Sequence, residues 1–511
     1  MKKHNTLKVV LIALAVAILL SWILPVASFY SGGYGFIDGG YAQVGLFDLS
    51  NYVITALSYF GYISLFVLIV GGFYGVLNRV GAYRTLLDKL AACFKGKEVV
   101  VLSIMMVLIA VLTSVCGLQL GLIVFFPMLV SLILLMGFDK VVAALTLVGS
   151  TMIGLLGTTY GYNNTGMITS ILGNKFTDDM LVKCILLFLG LVLLILNTIL
   201  YIRKSKNNAK KVTVKKVVAK ETTKDKKTTK AKATKDTKAA VKEESVVVVA
   251  KNEEEEDSYV PAAVSGEKHV VWPLAVILGI IFVILVLSFT SWSGAFGLDF
   301  MQKAHDAVVG FEIFGFPIFS KILGSAINPF GSWSIVELMV VMVVFMLILA
   351  LIYKVKFTDM LSNFAQGAKK AIAPAVVILF IYTILVVTTY HGYQLVIDKA
   401  ILGLTDGFNV FTTFIVAILS ALFNVDASYA FQSSLPYLAS IVTNTENYSL
   451  ISVVYQAAYG FVMLIAPTSI ILMGVLSYLK ISFGKWFKAV WQLLLELLVV
   501  LLIIFTILVL I

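Results

Sequence analysis

Charge is what this chain has least of. Only 13% of its 511 residues are Asp, Glu, Lys or Arg, against about a quarter in an ordinary soluble domain, while 60% are hydrophobic and mean hydropathy is +0.99. That excludes a soluble globular enzyme and points to an integral membrane protein. Cysteine is nearly absent too: Cys93, Cys116 and Cys184 show no CxxC spacing, and the four histidines are scattered. No disulfide framework and no metal cluster is implied. A Walker lysine loop, HExxH, GxSxG and a plausible Ser/His/Asp set are all missing, so a primary pump or a membrane hydrolase lacks its parts. No enzyme activity and no cofactor is expected, and the energy for any work must come from a gradient.

The net charge of +11 does not mark a nucleic-acid partner. Residues 203–268 hold 18 of the 39 basic and 11 of the 28 acidic residues, so +7 of the excess sits in one low-complexity run and +4 in everything else. A nucleic-acid groove needs its basic residues on a folded face. This run, rich in Lys, Thr, Ala and Val and without an aromatic residue until Tyr259, reads as a disordered cytoplasmic linker between a first transmembrane half, 1–202, and a second, 269–511. The basic linker could also tether to anionic lipid.

What the chain has in abundance is apolar length. Runs near the ~20 residues that span hydrocarbon occur at 7–28, 52–77, 99–115, 118–136, 141–172, 180–202, 270–292, 332–353, 372–390, 409–423, 428–442, 450–479 and 489–511. These thirteen segments predict an all-α polytopic bundle. The first is expected to be a spanning helix, being longer than the apolar core of a cleaved signal, although 26–28 could pass as a cleavage site. Basic residues gather before the first segment, after the second, fourth and eighth, in the linker and before the last, which places the N-terminus and the linker in the cytoplasm and the protein in the plasma (inner) membrane. Segments 118–136 and 428–442 are short enough to re-enter instead of crossing.

An internal repeat runs through both halves at an offset of 309. Pro127 falls on Pro436, Thr158 on Pro467, Thr159 on Thr468, Gln119 on Ser428 and Gly117 on Asp426, without a gap over 99–172. The second half has one extra span, 372–390, ahead of its block, so the two blocks are expected in opposite orientations. Inverted repeats of this kind characterise secondary transporters.

Segments 141–172 and 450–479 are about thirty residues long and broken near the middle. The second break contains Pro467, Thr468 and Ser469. The first contains Gly157, Thr158, Thr159 and Gly161, followed by Asn163 and Asn164. The two breaks are expected to meet near the bilayer midplane as one binding site, offering positive helix N-termini to a carboxylate and free carbonyls to a small cation; a plain packed kink is the bland alternative. The element before each break is polar on one side, through Thr113, Ser114, Gln119 and Gly121 in the first half and Asn424, Asp426, Ser428, Gln432, Ser433 and Ser434 in the second. An ionised Asp at the hydrocarbon centre costs ~2.5–3.5 kcal/mol. Asp426 is therefore the candidate for ion coupling, unless it lies at a segment end and simply meets water. Glu337 and Glu496 read as helix-end or interhelical residues.

The stretches GGFYGVLNRVGAY (71–83) and YQAAYGFVMLIAPTSIILMGVLSYLKISFGKWFK (from Tyr455), with Ser21-Trp22-Ile23-Leu24-Pro25, resemble the YfcC-like group of the C4-dicarboxylate anaerobic carrier family, in the ion transporter superfamily. The resemblance covers most of both halves but not the linker. It implies a secondary carrier of carboxylates or amino acids, with a scaffold, a mobile transport unit and elevator-like movement. The chain departs from the pattern at Gly117-Leu118-Gln119, where the family carries acids after the glycine, at 158–164, and in its added Asp426.

The expectation is a transporter for a small organic anion or amino acid working by alternating access. Na⁺ or H⁺ is expected as coupling ion, with no nucleic acid as partner, a lipid bilayer around it and a homodimer compatible. Gln119, Thr158, Thr159, Asn163, Asn164, Ser428, Pro467, Thr468 and Ser469 would bind substrate, and Asp426 would couple. The competing readings are a basic amino-acid exchanger and a non-transporting channel or receptor-like protein on the same fold.

Overall fold

The computed structural model describes residues 5–30, 35–225, 259–261, 270–324, 327–405 and 407–510. In the first half, α1 (Asn5–Ile23) leads through an antiparallel pair, β1 (Ala27–Tyr30) and β2 (Gly35–Asp38), to α2 (Leu46–Leu77), α3 (Gly81–Cys93) and α4 (Glu98–Cys116). A 3₁₀ turn (Leu120–Val124) precedes α5 (Phe126–Leu135). Next, α6 (Lys140–Ala144) passes through a π-helical turn (Leu145–Gly149) into α7 (Ser150–Leu156), followed by α8 (Tyr162–Leu172) and α9 (Met180–Asp225).

The second half opens with α10 (Trp272–Phe289). A small outer region follows: α11 (Trp292–Phe296), α12 (Phe300–Val309), β3 (Glu312–Ile313), β4 (Phe316–Pro317) and α13 (Ile318–Leu323). Then come α14 (Ile335–Ile352), α15 (Phe357–Tyr390), α16 (Gln394–Leu402), α17 (Val410–Phe423), α18 (Ala427–Ile441), α19 (Asn447–Met463), α20 (Ile470–Leu479) and α21 (Phe483–Leu510).

Polar side chains set the helix starts. Asp139 accepts from Val142 N at 2.9 Å to begin α6, and Asn409 accepts from Phe411 N and Thr412 N to begin α17. Ser334 and Glu337 form a capping box at α14, which makes Glu337 a helix-end residue. Glu496 is interhelical, accepting from Asn197 Nδ2 of α9 at 2.6 Å.

Among the described residues, eight helices are long and apolar enough to cross a membrane: α1, α2, α4, α9, α10, α14, α15 and α21. Their outward faces are apolar, as at Leu11, Ile104, Leu196, Val283, Val340 and Leu495, the pattern of a lipid-facing surface. In α15, 72% of the apolar window is buried, against 22–44% in the other seven, so it is the central post of the bundle. It joins the basic stretch and the extra span of the second half into one helix, with Pro374 accommodated inside. Against it lies α2, antiparallel. A Cβ on Gly71 would stand 2.6 Å from Ala371 Cβ, and one on Gly75 would stand 2.7 Å from Gly367 Cα. Small residues four apart on both helices let the backbones approach, as membrane interfaces favour.

The repeat is structural. Shifting α4, α6–α7 and α8 by 309 gives 407–425, 449–465 and 471–481, each end within three residues of α17, α19 and α20. Packing recurs as well: α4 lies on α7 and α17 on α19, and α7 lies on α9 and α19 on α21. The equivalent helices α7 and α19 also meet each other. Leu156 packs at Gly460, and Thr158 O accepts from Gln456 Nε2 at 2.6 Å, so the numbering runs in opposite directions along the pair. The two blocks are oppositely oriented.

The segment expected to return across the membrane at 118–136 is a 3₁₀ turn plus ten residues of α5, and its counterpart α18 has fifteen. At 1.5 Å per residue these helices cover roughly 15 and 22 Å of a hydrocarbon layer of about 30 Å. Helix α18 folds back on α17 as a hairpin, whereas α5 turns from α4 onto α3 and α6; the two tips, 117–119 and 424–426, end at the breaks. The expected linker begins inside α9, which continues as helix to Asp225, and Tyr259–Pro261 is packed on the bundle; the rest of that expectation lies outside the described residues.

Candidate functional site

Each tip is joined to the broken helix of its own half. In the first half Gly117, at φ +70°, ends α4 in a left-handed turn that no β-branched residue would take easily. One turn earlier Ser114 O accepts from Thr159 N at 3.1 Å and from Gly161 N at 2.8 Å. Its hydroxyl donates to Gly157 O at 2.7 Å and lies 3.0 Å from Thr159 Oγ1. Ser114 thus holds the break at 157–161 open as non-helical backbone, satisfying groups that would otherwise be bare in hydrocarbon. Gln119 Nε2 reaches across to Asn164 Oδ1 on α8, which fixes the tip over the start of that helix. Asn164 Nδ2 is buried with no partner.

The second junction is simpler. Thr468 Oγ1 donates to Leu422 O, in the last turn of α17, at 3.0 Å. Ser469 begins α20 and accepts from Leu472 N. Pro467 interrupts the ladder between α19 and α20, and the chain turns through Ser469 N donating to Ala466 O at 3.1 Å. Asp426 sits at the tip as the N-cap of α18, accepting from Tyr429 N at 3.2 Å. The phenols of Tyr62 (α2), Tyr382 (α15), Tyr429 (α18) and Tyr459 (α19) stand within range of its charge.

The candidate residues therefore form two groups. Gln119, Thr159 and Asn164 are tied together at the first junction; Asp426, Pro467, Thr468 and Ser469 surround the second, with Ser428, the second residue of α18, partly exposed. Thr158 turns its hydroxyl back onto Gly154 O and Leu155 O and presents only its carbonyl outward, to Gln456. Asn163 lies on α8, but its side chain is outside what the structure describes. Gln456 is opposite Thr158, and Pro467 lies eleven residues further on, about 10 Å of α19 and then a turn, so the two breaks do not meet in one site as expected but stand apart with α7 and α19 between them. The donor set is oxygen-rich and suits a hard monovalent cation or a proton better than a transition metal.

Two cavities lie beside the second junction, one reaching Ile470 and Ile471 and the other Asn424. One, of about 470 Å³, lies between α2 and α15 on one side and α5 and α20 on the other; Arg79, Gln366 and Lys370 stand at its end, and Val260 and Pro261 line it. The other, of about 400 Å³, is lined by Thr388, Gln394, Asn424, Ser433 and Tyr437. Along α15 the first touches 363–378 and the second 388–389, so they reach toward opposite ends of that helix.

Sequence reasoning singled out Ser114 and Asn424 as polar without placing them at a junction. It missed Gln456, Gln394 and the tyrosines around Asp426. Gln456 lies inside an apolar run as a lone amide, which was the available signal. The tyrosines are spread over four helices and only folding gathers them.

The sequence model described as DcuC, C4-dicarboxylate anaerobic carrier, matches residues 5–510. An uncharacterized protein of Haemophilus influenzae is 25% identical over 175 residues, which is 33% of this chain and 34% of that one, so the match spans about a third of the relative's length. The crystal structure of the YdaH transporter of Alcanivorax borkumensis aligns over 98% of each chain at 14% identity, with a TM-score of 0.39.

Proposed function

This chain belongs to the C4-dicarboxylate anaerobic carrier family, and from that membership we propose that it is a secondary active transporter that moves a small organic anion, a mono- or dicarboxylate, by alternating access together with Na⁺ or H⁺. The observation that carries the reading is the pair of tip-to-break junctions, one in each of two oppositely oriented halves. Cavities reaching toward opposite ends of α15 support it, because alternating access needs an approach from each side of the membrane.

The chemistry of the junctions favours an anion that travels with cations. Thr158, Thr159, Asn163, Asn164, Gln119, Ser428, Thr468 and Ser469 offer hydroxyl, amide and backbone groups but no fixed positive charge, and Pro467 frees a carbonyl. A dianion left unneutralised in a low-dielectric site costs many kcal/mol, so co-bound cations supply the balance, and Asp426 is the coupling candidate. Arg79 and Lys370 at the end of the larger cavity would raise the local concentration of an anion. This assignment places that end, with the linker and N-terminus, in the cytoplasm.

In proteoliposomes, Thr468→Ala and Asn163→Ala are each expected to raise KM for a C4-dicarboxylate about tenfold or more, since a hydrogen bond to a charged group contributes ~1.5–3 kcal/mol. Unchanged kinetics in both variants would overturn the reading. Asp426→Asn is expected to remove the dependence of uptake on the Na⁺ or pH gradient; wild-type dependence rejects Asp426 as the coupling residue.

A second reading is an amino acid, including a basic one taken by exchange. A carboxylate ringed by Tyr62, Tyr382, Tyr429 and Tyr459 suits an ammonium group. On that reading Asp426→Asn abolishes the thermal shift given by the amino acid itself, and not only the ion dependence.

A further inference from the structure

The second hairpin tip is wired to a buried acid that no part of the argument so far uses. Asp398 lies on α16, fully buried, and its Oδ1 has no hydrogen-bond partner. Its Oδ2 faces Gln394 Nε2, one turn back on the same helix, at 3.5 Å. Gln394 is a hub: its Nε2 donates to Ser433 Oγ at 3.1 Å, and its Oε1 accepts from Asn424 Nδ2, on the tip itself, at 2.9 Å. Asn424 Nδ2 also reaches Ser433 Oγ at 3.3 Å and Ser420 O at 2.9 Å. Gln394, Asn424 and Ser433 line the 400 Å³ cavity and Asp398 stands one layer behind them.

The surroundings of Asp398 are apolar or phenolic. Helix α16 packs on α17, α18 and β1. Helix α17 contains no ionisable residue; α18 presents Tyr437, and Tyr455 of α19 also stands within range of the carboxyl. The ionisable residue of β1 is Tyr30, and the neighbouring Lys399 on α16 is exposed. Burial pushes the Asp398 carboxyl well above the ordinary carboxylate range, opposed only by the Gln394 bond. An ionised carboxylate with one bare oxygen in such a place is strongly disfavoured.

We propose that Asp398 is a proton-binding site that controls the second hairpin: protonated while the Gln394, Asn424 and Ser433 bonds hold the tip closed, and deprotonated when the tip parts from Gln394 and cavity water reaches the carboxyl. The proton leaves to that water and returns from it, so no other reactant is needed. This rests on the transporter reading only in giving the moving hairpin a purpose; the site and its coupling to the tip can be measured without any substrate.

Two readouts on purified full-length protein test it. In infrared difference spectra, wild type at neutral pH is expected to show the C=O stretch of a protonated carboxyl that disappears in Asp398→Asn and persists in Asp426→Asn. The second readout is thiol labelling of Gln432→Cys, on the exposed side of α18, relative to native Cys93, which is also exposed. Labelling is expected to rise severalfold from neutral to alkaline pH, the direction in which a carboxyl raised by burial loses its proton, and to become flat in Asp398→Asn. Gln394→Leu should also flatten it while leaving the carboxyl band in place, which separates a severed link from a lost proton site. An unchanged infrared band in Asp398→Asn, or a labelling profile in that variant identical to wild type, overturns the proposal. Absence of any uptake activity would instead count against the transporter reading alone.

Discussion

Ser114 does more for the first junction than any residue marked from composition. Its carbonyl takes two amide protons from the break, and its hydroxyl bonds Gly157 O and stands 3.0 Å from Thr159 Oγ1, all out of water. Ser114→Ala removes the hydroxyl bonds and leaves buried polar atoms unpaired, at ~1–3 kcal/mol. The expected result is a lower apparent Tm in detergent with the helical content retained; an unchanged Tm would show that the junction is held by backbone alone. The serine was visible in the sequence as one polar residue on an apolar helix, but its partners lie 43 to 47 positions away. Asp398 was less visible still. It sits in a short mixed segment between two spans, and what makes it unusual is burial by α17 and α18, which no local pattern encodes. Asp426 was legible as an acid in an apolar block, while its use as an N-cap was not, because the start of α18 could not be fixed from hydropathy.

The seam between α2 and α15 is the clearest case of an element whose geometry is set by missing side chains. Gly75 stands so close to Gly367 that even a methyl group collides with backbone, and Gly71 likewise meets Ala371. Gly75→Ala is expected to destabilise by ~1–3 kcal/mol through overpacking, although Ala is the better helix former by about 1 kcal/mol. Gly279 on α10 has nothing within 4 Å of its missing Cβ, so Gly279→Ala is expected to be neutral or stabilising. Thermal unfolding of the two variants side by side checks the sign, and equal effects would refute the seam. Element by element, the apolar runs located all eight long apolar helices and the polar interruptions located both breaks, while the amphipathic or short α3, α11, α12, α13 and α16 fell outside them, since hydrophobicity reports contact with hydrocarbon. It does not report direction. For that reason hydropathy alone leaves 118–136 open between crossing and returning, and the short α5 with its 3₁₀ turn favours returning without deciding it.

At the scale of the whole molecule, the end of the linker ties the two halves together. Tyr259 O accepts from Ser131 Oγ of α5 at 2.6 Å, its hydroxyl donates to Tyr478 O of α20 at 2.8 Å, and Lys140 Nζ lies 4.5 Å over its ring. Arg84 of α3 donates to Pro261 O at 2.7 Å, and Val260 and Pro261 wall the larger cavity. Tyr259→Ala is expected to open that end: a cysteine at Gly474, which lines the cavity, should label severalfold faster than in the Tyr259 parent, and an equal rate would show that the segment covers nothing. Composition marked this run as a spacer or a lipid tether, and the one hint of docking was an aromatic residue after fifty-seven positions without any. The antiparallel meeting of α7 and α19 reaches further. Two copies of one design face each other head to tail, yet they differ in detail, with a 3₁₀ turn and a ten-residue helix in one where the other has a continuous fifteen-residue helix. On the transporter reading proposed above, an exchange of conformation between residues 98–172 and 407–481 would be the shortest route to an oppositely facing form, since each block already carries the shape the other would take.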